Sequence, residues 1–200
     1  MGKLEEMMTK RIKIRQADAY DVMELAGLLA QGVKEQGEHI WYPSLSMNRM
    51  RRISHILAVI DKGYVVIADM LVVVGKEPTG QGGVIGAIGM SIERDSWSDD
   101  WVLSNEWTYV LPDYRDTEVY VNMMTAVEDF ADSKVHPDTG FGLPIIMSNI
   151  SGKSAETKDA LLKRRGYQFG GGNFVRAPHH EQEKETDHGN EDSDVAGGRQ

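Results

Sequence analysis

The amino-acid sequence predicts an α/β (α+β) domain, and three observations carry that assignment. Apolar residues recur with a period of two in some stretches and at helical spacing in others, so strands and helices both occur. These stretches follow one another in the order β-α-α-β-β-β-α-β-α-β. In the middle of the chain, Glu106 to Val110 alternates as a strand, Pro112 stops the ladder, and the residues after Arg115 turn helical without glycine punctuation. A strand, a short turn and a helix N-terminus make an anion site, because the first helical turn presents unpaired N–H groups at the positive end of the helix dipole.

The elements follow in order. Residues 1–10 are polar and rich in methionine and are expected to be a flexible terminus. Ile12 and Ile14 alternate with Arg11, Lys13 and Arg15 in a short half-buried strand, after which Asp18 caps a helix carrying Val22, Leu25, Leu29 and Val33. Ser46 is a candidate cap for a second helix with Met50, Ile53, Leu57 and Ile60 as its buried stripe, and Gly63 closes it. Tyr64 to Val74 is almost wholly apolar and β-branched, which predicts a strand covered on both faces. A long turn over Gly75 to Gly83 leads to a returning strand, Val84 to Glu93, and Asp95 to Asp100 is a polar turn. Met123, Met124, Val127, Phe130 and Ala131 then mark a helix ending near Ser133. Phe141 to Ile150 is the next apolar strand, a helix from Ser154 or Ala155 stops at Gly166, and Asn173 to Arg176 forms a last short strand or hairpin.

Composition narrows the function classes. The chain has 200 residues, no cysteine and a formal charge of −9. Disulfide and thiolate chemistry are excluded, and a reducing compartment, the cytoplasm, is expected. Residues 177–200 carry −5 of the charge, leaving −4 on residues 1–176, so the basic footprint that nucleic acid requires is absent. That tail is acidic, nearly free of apolar residues and expected to be disordered, leaving a domain over residues 11–176. Its His179, His180 and His188 lack a fourth ligand at fixed spacing, and no metal site is expected. No apolar run is long enough for a membrane span.

Three local patterns resemble one family. Val110-Leu111-Pro112-Asp113-Tyr114-Arg115 is similar to the V-x-P-E-Y-R that ends the fourth strand of GNAT-type N-acyltransferases, Leu161 to Tyr167 is similar to their closing L-Y-x-K-x-G-F, and Ile12 to Ala17 followed by a helix resembles their usual start. The resemblance covers about residues 11–176, and Gly171 to Arg176 resembles the G-G-x-F-x-R of GNAT-like proteins from tailed phages. It implies a mixed, mostly antiparallel sheet of six to seven strands flanked by four helices. It implies acetyl transfer from acetyl-CoA to an amine on a small molecule or a protein, in a gap where the fourth strand splays from the fifth. It also implies a backbone N–H at Val110 or Leu111 as donor to the thioester carbonyl, and contacts to the acyl donor from Arg115, Asp116, Thr117, Tyr120 and Asn149, the last of which is equally a candidate cap for the following turn. Strand alternation puts Glu106 on the face of Thr108 and Val110, where it is a candidate base acting through water or an exposed carboxylate without a chemical role.

The departures from the family pattern matter as much. Its phosphate loop uses glycine so that backbone N–H groups can close on a pyrophosphate, and here those positions are Asp116, Glu118 and Tyr120. Either the acids replace the phosphate at the dipole end, or an altered site keeps Arg115 and Thr117 on the phosphate with the acids turned outward. The tyrosine that protonates the leaving thiolate in many family members is replaced by Leu162, leaving Tyr120, Tyr109 or water as stand-ins. Two functions follow: an acetyl-CoA-dependent N-acetyltransferase, or a catalytically inactive GNAT-fold interaction or structural module, phage-encoded if the last resemblance holds, and then located in the host cytoplasm. Trp41, Tyr42, Trp97, Trp101 and Trp107 are candidates for an aromatic acceptor wall, and Phe174 and Val175 for a homodimer contact.

Overall fold

A computed structural model describes residues 8–36, 48–74, 77–95, 100–115, 117–137, 139–148, 155–170 and 173–177. The expected acidic tail beyond Ala177 lies outside the described residues, as do Trp41, Tyr42, Ser46, Trp97, Asp116 and Asn149. The strands are β1 (Met8–Gln16), β2 (Gly63–Val74), β3 (Glu77–Arg94), β4 (Trp101–Val110), β5 (Ile145–Ser148), β6 (Gln168–Gly170) and β7 (Asn173–Arg176). The helices are α1 (Val22–Gln36), α2 (Arg49–Lys62), α3 (Val119–Ser133) and α4 (Ala155–Arg164). All the strands join one seven-stranded sheet in the order β1-β2-β3-β4-β5-β7-β6, antiparallel except for the parallel β4–β5 pair. The expected mixed α/β architecture is therefore present, with the last strand resolved into a hairpin.

Each face of the sheet has its own core. On one side α1 and α2 bury Leu25, Leu29, Ile56 and Val59 against Val65, Ile67, Ala87, Trp107 and Tyr109. On the other, α3 and α4 bury Met123, Met124, Val127 and Leu162 against Val66, Ala68, Met90, Leu103, Val110, Ile145 and Phe174. Neighbouring residues Val65, Val66, Ile67 and Ala68 go alternately to the two cores, which is why β2 reads as continuously apolar. Arg15 fastens the start of the sheet, pairing with Asp21 at 2.7 Å and with the buried Asp69, and these carboxylates hold its guanidinium above the usual arginine range.

Several expectations are corrected. Met8 to Lys10 belong to β1, because β2 is long enough to pair with them. Glu77 to Gly83, expected as turn, continues β3 through an irregular register against β2, which supplies partners for a glycine-rich backbone. The cap of α2 is Asn48, whose Oδ1 accepts from the N–H of Met50 at 3.0 Å. Its buried stripe is Arg52, Ile56 and Val59, with Ile53 and Ile60 partly covered, while Met50 is 68% exposed and Leu57 is also exposed. Arg52 is buried and takes a place on the inner face that apolarity alone does not select. Strand β5 is only four residues long, since Phe141 closes a turn by accepting from the His136 N–H. Phe174 is fully buried, so it cannot supply a dimer contact.

Candidate active site

The sheet opens at its parallel pair. Among the described residues, strands β4 and β5 are joined at Leu103↔Ile145 and Ser104↔Ile146, although β4 continues to Val110. From Asn105 onward the β5-facing edge of β4 has no strand partner among the described residues. The Leu111 N–H donates to the Ile85 carbonyl at 2.9 Å, so that amide is committed to the sheet and is not the free donor expected of it. Antiparallel ladders alternate inward and outward groups, and the Val110 N–H and carbonyl therefore face the gap. Gly86, opposite Val110, lets α3 approach closely: a Cβ there would stand 3.2 Å from Met123 Cε and 3.3 Å from Val119. The N-terminus of α3 is thus set beside the end of β4.

The turn between them is held from within. Arg115 Nε donates to the Val110 carbonyl at 2.9 Å, its terminal nitrogen pairs with Glu35 of α1, and its guanidinium lies 5.5 Å from the Tyr109 ring centroid. Thr117 Oγ1 donates to the Tyr114 carbonyl at 2.6 Å and accepts from the Val119 N–H at 3.3 Å, which starts α3. Tyr120 turns into the α3 core, where burial drives its phenol pKa well upward. Of the residues at the family's glycine positions, Glu118 is exposed at the cap of α3 without a capping hydrogen bond, and Asp116 is outside the described residues.

Glu106 occupies a β-bulge. Gly89 pairs with Trp107 and Met90 with Asn105, so Glu106 is the extra residue of β4. The bulge breaks the alternation on which the expected face rested. Asn105 and Thr108 share one side, with Asn105 Nδ2 donating to Thr108 Oγ1 at 3.1 Å, whereas Glu106 reaches α2 and places Oε2 3.5 Å from His55 Nε2. The carboxylate therefore lies on the α1/α2 face with Trp107, not with Thr108 and Val110. Trp107 lies against Gly89, where a Cβ would come within 2.3 Å of the indole, and it is 2% exposed. Trp101 packs on the opposite core beneath Arg94, at 5.1 Å. These two tryptophans form no common wall.

Across the gap, α4 contributes a lysine. Leu162, at the family's tyrosine position, is fully buried in the α3/α4 core. Lys158 stands one helical turn before it and donates from Nζ to the Ser148 carbonyl at 3.1 Å. Enclosure of this ammonium pushes its pKa down to about 8, partly opposed by Asp159. The Leu103 N–H donates to the Pro144 carbonyl, and counting on by twos directs the Ser148 carbonyl toward β4 as well. Lys158 Nζ is therefore at the mouth of the gap. His55 and Lys158 carry no local sequence signal; they are found only through partners 51 and 10 residues away.

No protein-family model and no curated protein sequence matches the chain. Its fold recurs in solved structures. A GNAT family acetyltransferase from Brucella melitensis, determined in complex with acetyl-CoA, superposes with a TM-score of 0.55 at 12% identity, over 84% of this chain and 88% of that one. An aminoglycoside 6'-N-acetyltransferase from Acinetobacter baumannii gives 0.51 at 12% identity, over 80% and 92% of the two chains. A possible acetyltransferase from Clostridium difficile gives 0.50 at 17% identity, over 76% and 89%. What is shared at these identities is the architecture of the GNAT fold.

Proposed function

We propose that this protein is a GNAT-type N-acetyltransferase that moves an acetyl group from acetyl-CoA to an amine on a small molecule or a protein. One observation carries the reading: among the described residues β4 and β5 part after two residue pairs, and the Val110 N–H faces the opening beside the N-terminus of α3. This fits a thioester in the gap, because an outward amide is a ready donor to its carbonyl oxygen and would bind that oxygen more tightly as it gains charge. When bound, acetyl-CoA supplies the activated acyl group.

The chain's own residues supply the rest. Val110 orients the carbonyl, and Glu106 takes the amine proton through a water, its carboxylate lying 3.5 Å from His55 on the α1/α2 face. An amine entering from that face is attracted by the same carboxylate. Arg115 and Thr117 contribute by fixing the turn. With Glu118 exposed, phosphate contacts fall to the backbone N–H groups of the first turn of α3.

A second reading, an inactive interaction module of the same fold, is favoured by the acid at Glu118 and by Leu162 in place of a proton donor. A phage origin and a host-cytoplasmic location belong to this reading and rest on the sequence resemblance alone. Titrating acetyl-CoA into the full chain, with calorimetry and thermal shift, separates the two. Saturable binding at micromolar ligand is the expected result. No stabilisation at millimolar ligand would exclude the enzyme, because a ligand that binds the native state must raise its stability by mass action.

A further inference from the structure

The Lys158 ammonium is a partly buried charge: among the described residues it forms no ion pair, and its hydrogen bond goes to a neutral carbonyl. Neutral partners recover little of the desolvation of a cation, so the ammonium costs stability where it stands. The carbonyl that holds it ends β5 two residues beyond Ile146 of the Ser104↔Ile146 pair and points across the gap. Lys158 approaches from the α3/α4 face and Glu106 from the α1/α2 face, so the two groups stand on opposite sides of the opening.

We propose that Lys158 is the group that meets the leaving sulfur and gives it a proton, filling from one helical turn away the role that Leu162 cannot. The proposal rests on the acyltransferase reading. The amine nitrogen forms the new C–N bond as the C–S bond breaks with its electron pair remaining on sulfur. The proton lost by nitrogen passes toward Glu106, and sulfur takes a proton from Nζ. Lys158 is left as a neutral amine, still within reach of the Ser148 carbonyl, and regains its proton from solvent. A donor whose pKa has fallen toward that of a thiol, about 8.5, is well matched to this transfer. Among the described residues, Asp159 acts on it from its own helix, β5 contributes the Ser148 carbonyl, and on β4 Glu106 is turned toward His55.

The test uses CoA itself on the full-length chain. Because the protein has no cysteine, thiolate absorbance in the ultraviolet belongs to CoA once the apoprotein signal at each pH is subtracted. In the wild type the bound thiol should ionise about one pH unit below free CoA, since a cation within hydrogen-bonding range favours the thiolate. In Lys158→Gln, which can still donate to Ser148, the midpoint should return to that of free CoA. Lys158→Met serves as the second variant if the first does not fold, as shown by melting. Equal midpoints in wild type and variant, with CoA bound to both, would overturn the role of Lys158 and leave the acyltransferase reading standing. Failure of CoA to bind the wild type would overturn both.

Discussion

Replacing Lys158 by methionine should stabilise the unliganded protein, and the gain should depend on pH in a defined way. The native ammonium titrates near 8 against 10.5 for an unhindered lysine, which corresponds to about 3 kcal/mol. The sign follows from proton counting. Below about pH 8 both native and unfolded lysine are charged, and the full penalty of enclosing the cation is present. Between about 8 and 10.5 the unfolded chain binds more protons than the native one, so stability rises with pH, and above 10.5 the penalty is gone. Water at the mouth of the gap screens part of the charge, so the gain from Lys158→Met at pH 7 should be about 1 to 3 kcal/mol. For a chain of this size that is a melting shift of several degrees. Urea unfolding of both proteins at pH 7 and near pH 10.5 measures it. A variant less stable at pH 7 would refute the reasoning, and a gain that persists unchanged at high pH would assign it to side-chain packing instead.

Three further outcomes are expected. Gly89→Ala should destabilise the domain by about 1 to 3 kcal/mol in denaturant unfolding, because the added carbon meets a buried Trp107 that has nowhere to go. Glu118→Gly should tighten acetyl-CoA binding several-fold in calorimetry, since like charges about 4 Å apart repel by about 1 kcal/mol even in water; unchanged affinity would mean that this carboxylate faces away from the phosphates. Once an acceptor amine is in hand, Glu106→Gln should lower kcat by roughly 10²-fold or more while the KM for acetyl-CoA stays put. A loss confined to KM would make Glu106 a binding group rather than a base.

What was legible in the sequence depended on how local its cause is. Pro112 after an alternating strand, Gly63 and Gly166 at helix ends, and the β-branched run of β2 each declare themselves within a few residues, and the strand–turn–helix at Val110 to Val119 lies where they put it. The bulge was not legible, because it arises from Trp107 packing on Gly89 of the neighbouring strand, and with it went the face of Glu106. The same holds for the Leu111 amide, whose commitment to Ile85 depends on the phase of the β3–β4 ladder. Arg115 reads as a phosphate ligand from its motif, yet Glu35, eighty residues earlier, draws its guanidinium back along β4. Lys158 is unremarked in a helix rich in charge until the fold lays it against the end of β5.

Because two residue pairs stitch β4 to β5 among the described residues, the sheet is mechanically two plates, β1–β4 and β5–β7, meeting along a short seam. The bolt between them is the core beneath α3, where Met123 and Met124 share one apolar cluster with Val66 of the first plate and with Ile145 and Phe174 of the second. Side-chain packing tolerates small rotations that a ladder of hydrogen bonds does not, so the seam is where the domain yields first. Amides along Asn105 to Val110 that face the opening should then exchange with solvent faster than their neighbours facing β3. A molecule wedged between the plates would slow that exchange along the whole edge, including residues it never touches.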